Sequence, residues 1–203
     1  MKGVEIDFKR IIHDTTILFV ICVISGLLLG LAREVTYPIT TARKAEEKAQ
    51  TYRAILVDAD HFEDSADLIG TAQAALTSAG ISATIKDMMT AYDASGNVMG
   101  YAYSVVTAGK IAEITTAVGV TAEGEVLGIE ILESSETSGL GSKAKDPAFK
   151  DQFANKTVSS FTVVKGDASA DNQISAISGA TVTSNSVATA VNAAIVVTSS
   201  MAQ

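Results

Sequence analysis

The chain has 203 residues, 47% of them apolar, few aromatic and none Trp, with a formal net charge of −8. That length suits one hydrophobic segment plus one domain of about 170 residues with an ample Ala/Val/Ile core. The acidity argues against nucleic acid, whose phosphates call for a basic face. The single Cys excludes an internal disulfide and any multi-cysteine metal or iron–sulfur site.

The first element is the charge-free run Thr15–Ala32. It is about the minimum for a spanning helix, because a hydrocarbon core of roughly 30 Å needs about 20 residues at about 1.5 Å each. A cleaved signal peptide is the competing reading, and Gly30-Leu31-Ala32 has the small-x-small form of a cleavage site. The run exceeds the usual ~7–15 residues, and in residues 1–14 Lys2, Lys9 and Arg10 are balanced by Glu5, Asp7 and Asp14. Both points favour an uncleaved anchor. Basic residues flank the run almost evenly, with Arg33, Arg43, Lys44 and Lys48 after it, so charge does not set its orientation. Cys22 lies inside the run, as a packing or lipid-facing residue.

Residues 33–57 are expected to connect, with a helix over Thr40–Val57 whose charged cluster is a solvated face. The organisation expected is a tail at 1–14, a transmembrane helix at 15–32, a connector at 33–57 and a domain at 58–203. Asp64–Ala79 is expected as a second helix closed by Gly80. His61, Glu63, Asp64 and Asp67 at its start suit the helix dipole better than a metal. A β portion follows. Asp93-Ala-Ser-Gly96-Asn-Val98 is echoed by Thr121-Ala-Glu-Gly124-Glu-Val126, each a glycine turn before an alternating strand. Strands are expected at Met88–Tyr92, Val98–Thr107, Ile111–Val120 and Val126–Glu133. Tyr101 and Tyr103 share a strand face, where core packing is favoured over lining a ligand. A glycine loop, Glu133–Gly141, then precedes a helix at Pro147–Phe153, a strand at Phe161–Val164 and a short strand at Gln173–Ile177.

The C-terminal segment Ser184–Met201 repeats Val187, Val191, Ala194 and Ile195 at helical spacing, which marks one buried face. Before it stands Ser178-Gly179-Ala180-Thr181-Val182-Thr183-Ser184. Taken alone this is a capped helix start. It is also a ready anion site, with free N–H groups, the positive end of the dipole and small residues that admit a phosphate closely.

Ser178-Gly179-Ala180-Thr181 resembles the flavinylation motif of FMN-binding domains in the Rnf and sodium-pumping NADH:quinone reductase families. Glu136-Thr137-Ser138-Gly139-Leu140-Gly141 resembles the Glu-Thr-Pro-Gly-Leu-Gly run of the same domains, in the same order and behind the same kind of N-terminal segment. The length is closer to the Rnf G subunit than to the reductase C subunit. The resemblance implies an α+β domain, an antiparallel sheet flanked by helices, on a single-pass membrane anchor and outside the cytoplasm. It implies FMN attached to Thr181 as a phosphoester by a flavin transferase, with Ser178, Gly179, Ala180 and Thr183 shaping the phosphate end. Glu136, Thr137, Gly139, Leu140 and Gly141 are placed near the cofactor.

The function implied is an electron relay in a membrane complex coupling ferredoxin oxidation and NAD reduction to Na⁺ or H⁺ translocation. The chain is then a redox subunit rather than an enzyme alone, partnered by the other subunits. The alternatives are a C-subunit-like relay of the quinone reductase and an anchored binding module without flavin. Three departures from the family pattern stand out: Ser175 where many relatives have Asp, Ala108-Gly109-Lys110 where relatives often have Gly-Tyr-Gly-Gly, and Ser138 for Pro. No Ser/His/Asp or Cys/His set can be assembled from His13, His61 and Cys22, so no catalytic residue and no metal ligand is expected.

Overall fold

A computed structural model describes residues 8–201. Compact packing divides the chain between Glu47 and Lys48. The first unit holds most of helix α1, Phe8–Ile55. Within it Ile11–Leu31 has a mean hydropathy of 2.2 and no buried share. Its Leu, Ile, Phe and Val side chains are exposed all round, as in a membrane span rather than a surface helix. At about 1.5 Å per residue this stretch is about 32 Å long, enough for a bilayer core.

The second unit is built on a five-stranded antiparallel meander in the order β1-β2-β3-β4-β5. Its strands are β1 His61–Asp64, β2 Thr84–Tyr92, β3 Val98–Ala108, β4 Glu113–Thr121 and β5 Val126–Glu133. The two echoed turns close hairpins: Gly96 N–H bonds Asp93 O and Gly124 N–H bonds Thr121 O. Both glycines have positive φ, +82° and +92°, which other residues adopt only with strain. Alternation sends Ile85, Tyr103, Val105, Ile114, Val118 and Ile131 into a core shared with Leu76, Val187, Val191 and Ile195. The opposite face presents Ala91, Ala102 and Ala117 to Tyr52 and Leu56, at the end of α1. The last turns of the expected connector thus pack within the second unit. Gly119 permits it, since a Cβ there would lie 2.4 Å from Ile55 Cγ2.

Several elements differ from expectation, first the one expected from Asp64. That helix begins at Ile69, as α2 Ile69–Ser78, after a 3₁₀ turn at Ala66–Leu68. His61–Asp64 is instead an edge strand paired with Met89–Tyr92. Asp64 Oδ1 accepts the Ala66 N–H at 2.8 Å and so turns the chain into the helix. The acidic cluster is therefore mostly strand, where carboxylates suit an exposed edge. At the other end Gly80 (φ +68°) closes α2, with its N–H on Thr77 O and that of Ile81 on Leu76 O, the paired bonds of a Schellman cap.

The expected helix at Pro147–Phe153 is a single turn, α3 Pro147–Lys150, continued as a 3₁₀ turn to Phe153. Strands β6 Thr162–Val164 and β7 Gln173–Ser175 pair in parallel. The C-terminal helix α4, Thr181–Met201, starts three residues before the periodic pattern and lies over β3 and β4.

Candidate functional site

Helix α4 begins at Thr181, and the first N–H to find a helical carbonyl is that of Ser184, on Ala180 O at 3.0 Å. The N–H groups of Thr181, Val182 and Thr183 have no carbonyl a turn behind them within the helix, so this end is electropositive. Gly179 (φ +77°) makes the bend into the helix, and a Cβ on it would stand 3.0 Å from Leu140 Cδ2. Leu140 belongs to the Glu136–Gly141 loop, so the two motifs touch here.

Glu136 joins three segments. Its Oε1 accepts the backbone N–H groups of Lys110 (2.8 Å) and Ile111 (3.0 Å), at the tip of the β3–β4 hairpin. Its Oε2 accepts the Thr183 hydroxyl of α4 at 2.6 Å. Burial pushes the Glu136 carboxyl up. The bonds from Thr183 and from the Ile111, Lys110 and Ala112 N–H groups outweigh it, so the group lies below its ordinary range. Two glycines allow the approach. A Cβ on Gly109 would lie 2.6 Å from Glu136 Oε1, and one on Gly141 2.7 Å from Oε2 and 2.8 Å from Thr183 Oγ1.

Between the two motifs lies a cavity of about 430 Å³, lined by Lys110, Glu136, Thr137, Leu140, Gly141, Gly179, Ala180, Thr181, Val182 and Thr183. Cavities of ~300–1,000 Å³ are usual for small-molecule ligands. Eight of its residues are those singled out in the sequence. Ser178 and Gly139 are not in the lining: Ser178 is exposed, and Gly139 (φ +75°) forms the loop's turn, its N–H on Ser142 Oγ. Lys110 and Val182 are additions. Only the Ala108-Gly109-Lys110 departure flagged that stretch, and it carried no hint of the hairpin tip's position.

The hydroxyls at the start of α4 are not equivalent. Thr183 donates to Glu136, and Ser184 Oγ donates to Ala180 O and accepts the Ile177 N–H, each at 3.0 Å. Thr181, half-buried in the cavity wall, makes no side-chain hydrogen bond among the described residues. The tyrosines lie elsewhere. Tyr103 is wholly buried with its hydroxyl 2.8 Å from Thr198 Oγ1, and Tyr101 packs on the same core. His61 stacks on Tyr92. Ser175 Oγ accepts the Ala168 N–H. Among the described residues no group of three or more His, Cys, Asp and Glu is arranged to hold a metal.

The lining fits a flavin phosphate: N–H groups of a helix start and a Thr181 hydroxyl that are unpaired among the described residues, one cation, and Leu140 and Val182 as apolar wall. Residues 109–196 match the FMN-binding domain family, a span that includes both motifs. The chain is 31% identical over 199 residues to the G subunit of the Na(+)-translocating ferredoxin:NAD(+) oxidoreductase complex of Acetobacterium woodii, covering 96% of this chain and 94% of that one. It is 28% identical to the proton-translocating counterpart of Clostridium ljungdahlii, covering 93% and 92%. The G subunit of the ion-translocating oxidoreductase complex of Methanosarcina acetivorans is 27% identical, with 93% and 95% covered. The apolar helix Ile11–Leu31 is consistent with a membrane anchor. Carrying an FMN-binding domain and matching these relatives nearly end to end, the chain belongs to the Rnf family, the G subunits of ion-translocating ferredoxin:NAD(+) oxidoreductase complexes.

Proposed function

We infer that the protein is an electron-transfer subunit of an Rnf-type complex and carries FMN as a phosphoester on Thr181. The observation that carries the assignment is the difference among the hydroxyls at the start of α4: Thr183 and Ser184 are engaged, and Thr181 faces the cavity unengaged. A flavin transferase would form the Thr181 Oγ1–phosphorus bond. The hydroxyl proton is lost, and the donor's leaving group takes the electrons of the broken P–O bond. The linkage is then a phosphodiester with one negative charge. An enzyme-made ester needs one hydroxyl aligned with the transferred group, so a neighbour two residues away does not substitute freely.

When bound, FMN supplies the redox chemistry; the chain supplies position and surroundings. The N–H groups at the start of α4 hold the phosphate end. Leu140 and Val182 give one side of the cavity an apolar surface, and Glu136 fixes loop, hairpin and helix as one frame. Sites for ferredoxin, NAD and the coupling ion are placed, in this reading, on the other subunits. The full-length relatives are G subunits, which supports the Rnf reading over a quinone-reductase C subunit. The domain is assigned to the extracytoplasmic side, where a covalent link prevents loss of the cofactor.

The test is the intact mass of the full chain made with and without a flavin transferase. The mass rises by one FMN ester only with the transferase, Thr181→Ala abolishes the rise and Thr183→Ala retains it. A fully flavinylated Thr181→Ala chain overturns the assignment.

A further inference from the structure

Lys110 is the basic residue in the cavity lining, at the tip of the β3–β4 hairpin. Lys143 and Lys145, on the turn after Gly141, do not line it. The exposed Lys110 side chain makes no hydrogen bond or ion pair among the described residues, so its charge is uncommitted within the domain. Its backbone is the opposite: the N–H is held by Glu136 Oε1 at 2.8 Å. Gly109 N–H bonds Ala112 O at 2.9 Å to close the tip, and a Cβ on Gly109 would lie 2.4 Å from that same oxygen. The hairpin tip is thus seated on the Glu136 carboxylate, with its lysine delivered to the cavity wall.

Charge balance gives that lysine a task. A phosphodiester on Thr181 brings one negative charge into a cavity that already holds the Glu136 carboxylate. The partial charge at a helix start, roughly half a unit, does not balance two anions. A cation within reach of the phosphate oxygens supplies most of the remainder, and charge-assisted bonds of this kind are the stronger sort.

We propose that Lys110 is the counter-charge for the phosphate end of the attached flavin, and that Glu136 is the positioning residue that holds Lys110 there through the hairpin backbone. This rests on the FMN reading above. It assigns Glu136 a role toward its own chain instead of direct contact with the cofactor.

The test uses the full chain in detergent, loaded by the transferase, with Thr181→Ala as the unloaded reference. Lys110→Gln, Lys110→Glu and Lys110→Arg are compared by the ³¹P chemical shift of the flavin ester and by the gain in Tm on loading. Because the Lys110 side chain holds no partner in the domain, Lys110→Gln leaves the unloaded Tm within about 1 °C. It lowers the loading gain by about 2–4 °C, the shift one modest interaction gives in a domain of this size, and moves the ³¹P shift. Lys110→Glu does more, Lys110→Arg restores most of both, and 0.5 M salt shrinks the difference between wild type and Lys110→Gln. Glu136→Gln moves the ³¹P shift the same way, and less than additively when combined with Lys110→Gln.

Flavin on Thr181 with the ³¹P shift and loading gain unchanged in Lys110→Gln and Lys110→Glu overturns this proposal alone. A fully additive Glu136 and Lys110 pair overturns the positioning role. A chain that takes no flavin on Thr181 overturns the parent reading and this one with it.

Discussion

Ile11–Leu31 and α4 are both 21 residues long and both apolar, yet they occupy opposite environments. The first exposes Ile, Leu, Phe and Val on every side. The second is mostly Ala, Val, Ser and Thr, and is buried along most of its length. Side-chain size and hydroxyl placement make the difference. Small residues let a helix approach a sheet closely, as Ala188, Ala190 and Ala194 do here. Every buried hydroxyl of α4 is bonded: Thr183 to Glu136, Ser184 to Ala180 O, Ser186 to Ala108 O and Thr198 to Tyr103. Apolar burial is non-directional, whereas these bonds fix where the helix start lies relative to the loop that faces it. A site needs that kind of fixing.

The comparison is broken most severely by a buried charge. Val191 is wholly enclosed, and Val191→Asp leaves a carboxylate unpaired, at a cost above about 3 kcal/mol. Circular dichroism is expected to show loss of the cooperative transition of the C-terminal unit. Ile24→Asp leaves that transition within about 1 °C and instead releases the chain from membranes, since an Asp at mid-span costs roughly 2.5–3.5 kcal/mol. An unfolded Ile24→Asp domain would contradict the division into two units.

Next in size is Gly141→Val. Its Cβ meets Glu136 and Thr183 within 2.8 Å, an overpacking of about 1–3 kcal/mol that displaces the frame of the site. Flavin attachment is expected to fall at least tenfold in a chain that still folds. Gly139→Ala meets open space and only the strain of φ +75°, about 1–2 kcal/mol, and keeps its flavin. Equal attachment in the two variants would demote the loop to scaffold.

The smallest effect is that of pH on Glu136. Its folded carboxyl lies below the ordinary range, so the stability it lends is present above the unfolded value of about 4.3 and lost as pH falls through the folded one. The protection of the Lys110 and Ile111 amides, as exchange relative to the intrinsic rate at each pH, is expected to fall in that acid window, and Glu136→Gln removes that change in protection. A wild-type hairpin tip indifferent to pH would dissociate it from Glu136.

The long patterned elements were legible in the sequence. β5 occupies Val126–Glu133 as its alternation requires, and the echoed glycine turns close two hairpins as expected. The polar strand β1 was not legible, because His-Phe-Glu-Asp has no alternation and pairs only by being next to β2. Nor was the parallel pairing of β6 with β7, which are three residues each. At the site, resemblance supplied the motif residues, and helix physics explained why the start of α4 suits an anion. The bond between Glu136 and Thr183 joins positions far apart in the chain, and the place of Lys110 follows from that closure. Neither is written in local sequence.

The most direct measurement is fragmentation mass spectrometry of the peptide that follows Lys165, from the full chain made with a flavin transferase. This peptide holds Ser178, Thr181, Thr183 and Ser184 together, so only fragmentation separates them. The expected result is the flavin phosphate on Thr181 alone. Flavin on Thr183 or Ser184, whose hydroxyls the fold already uses, would contradict the assignment.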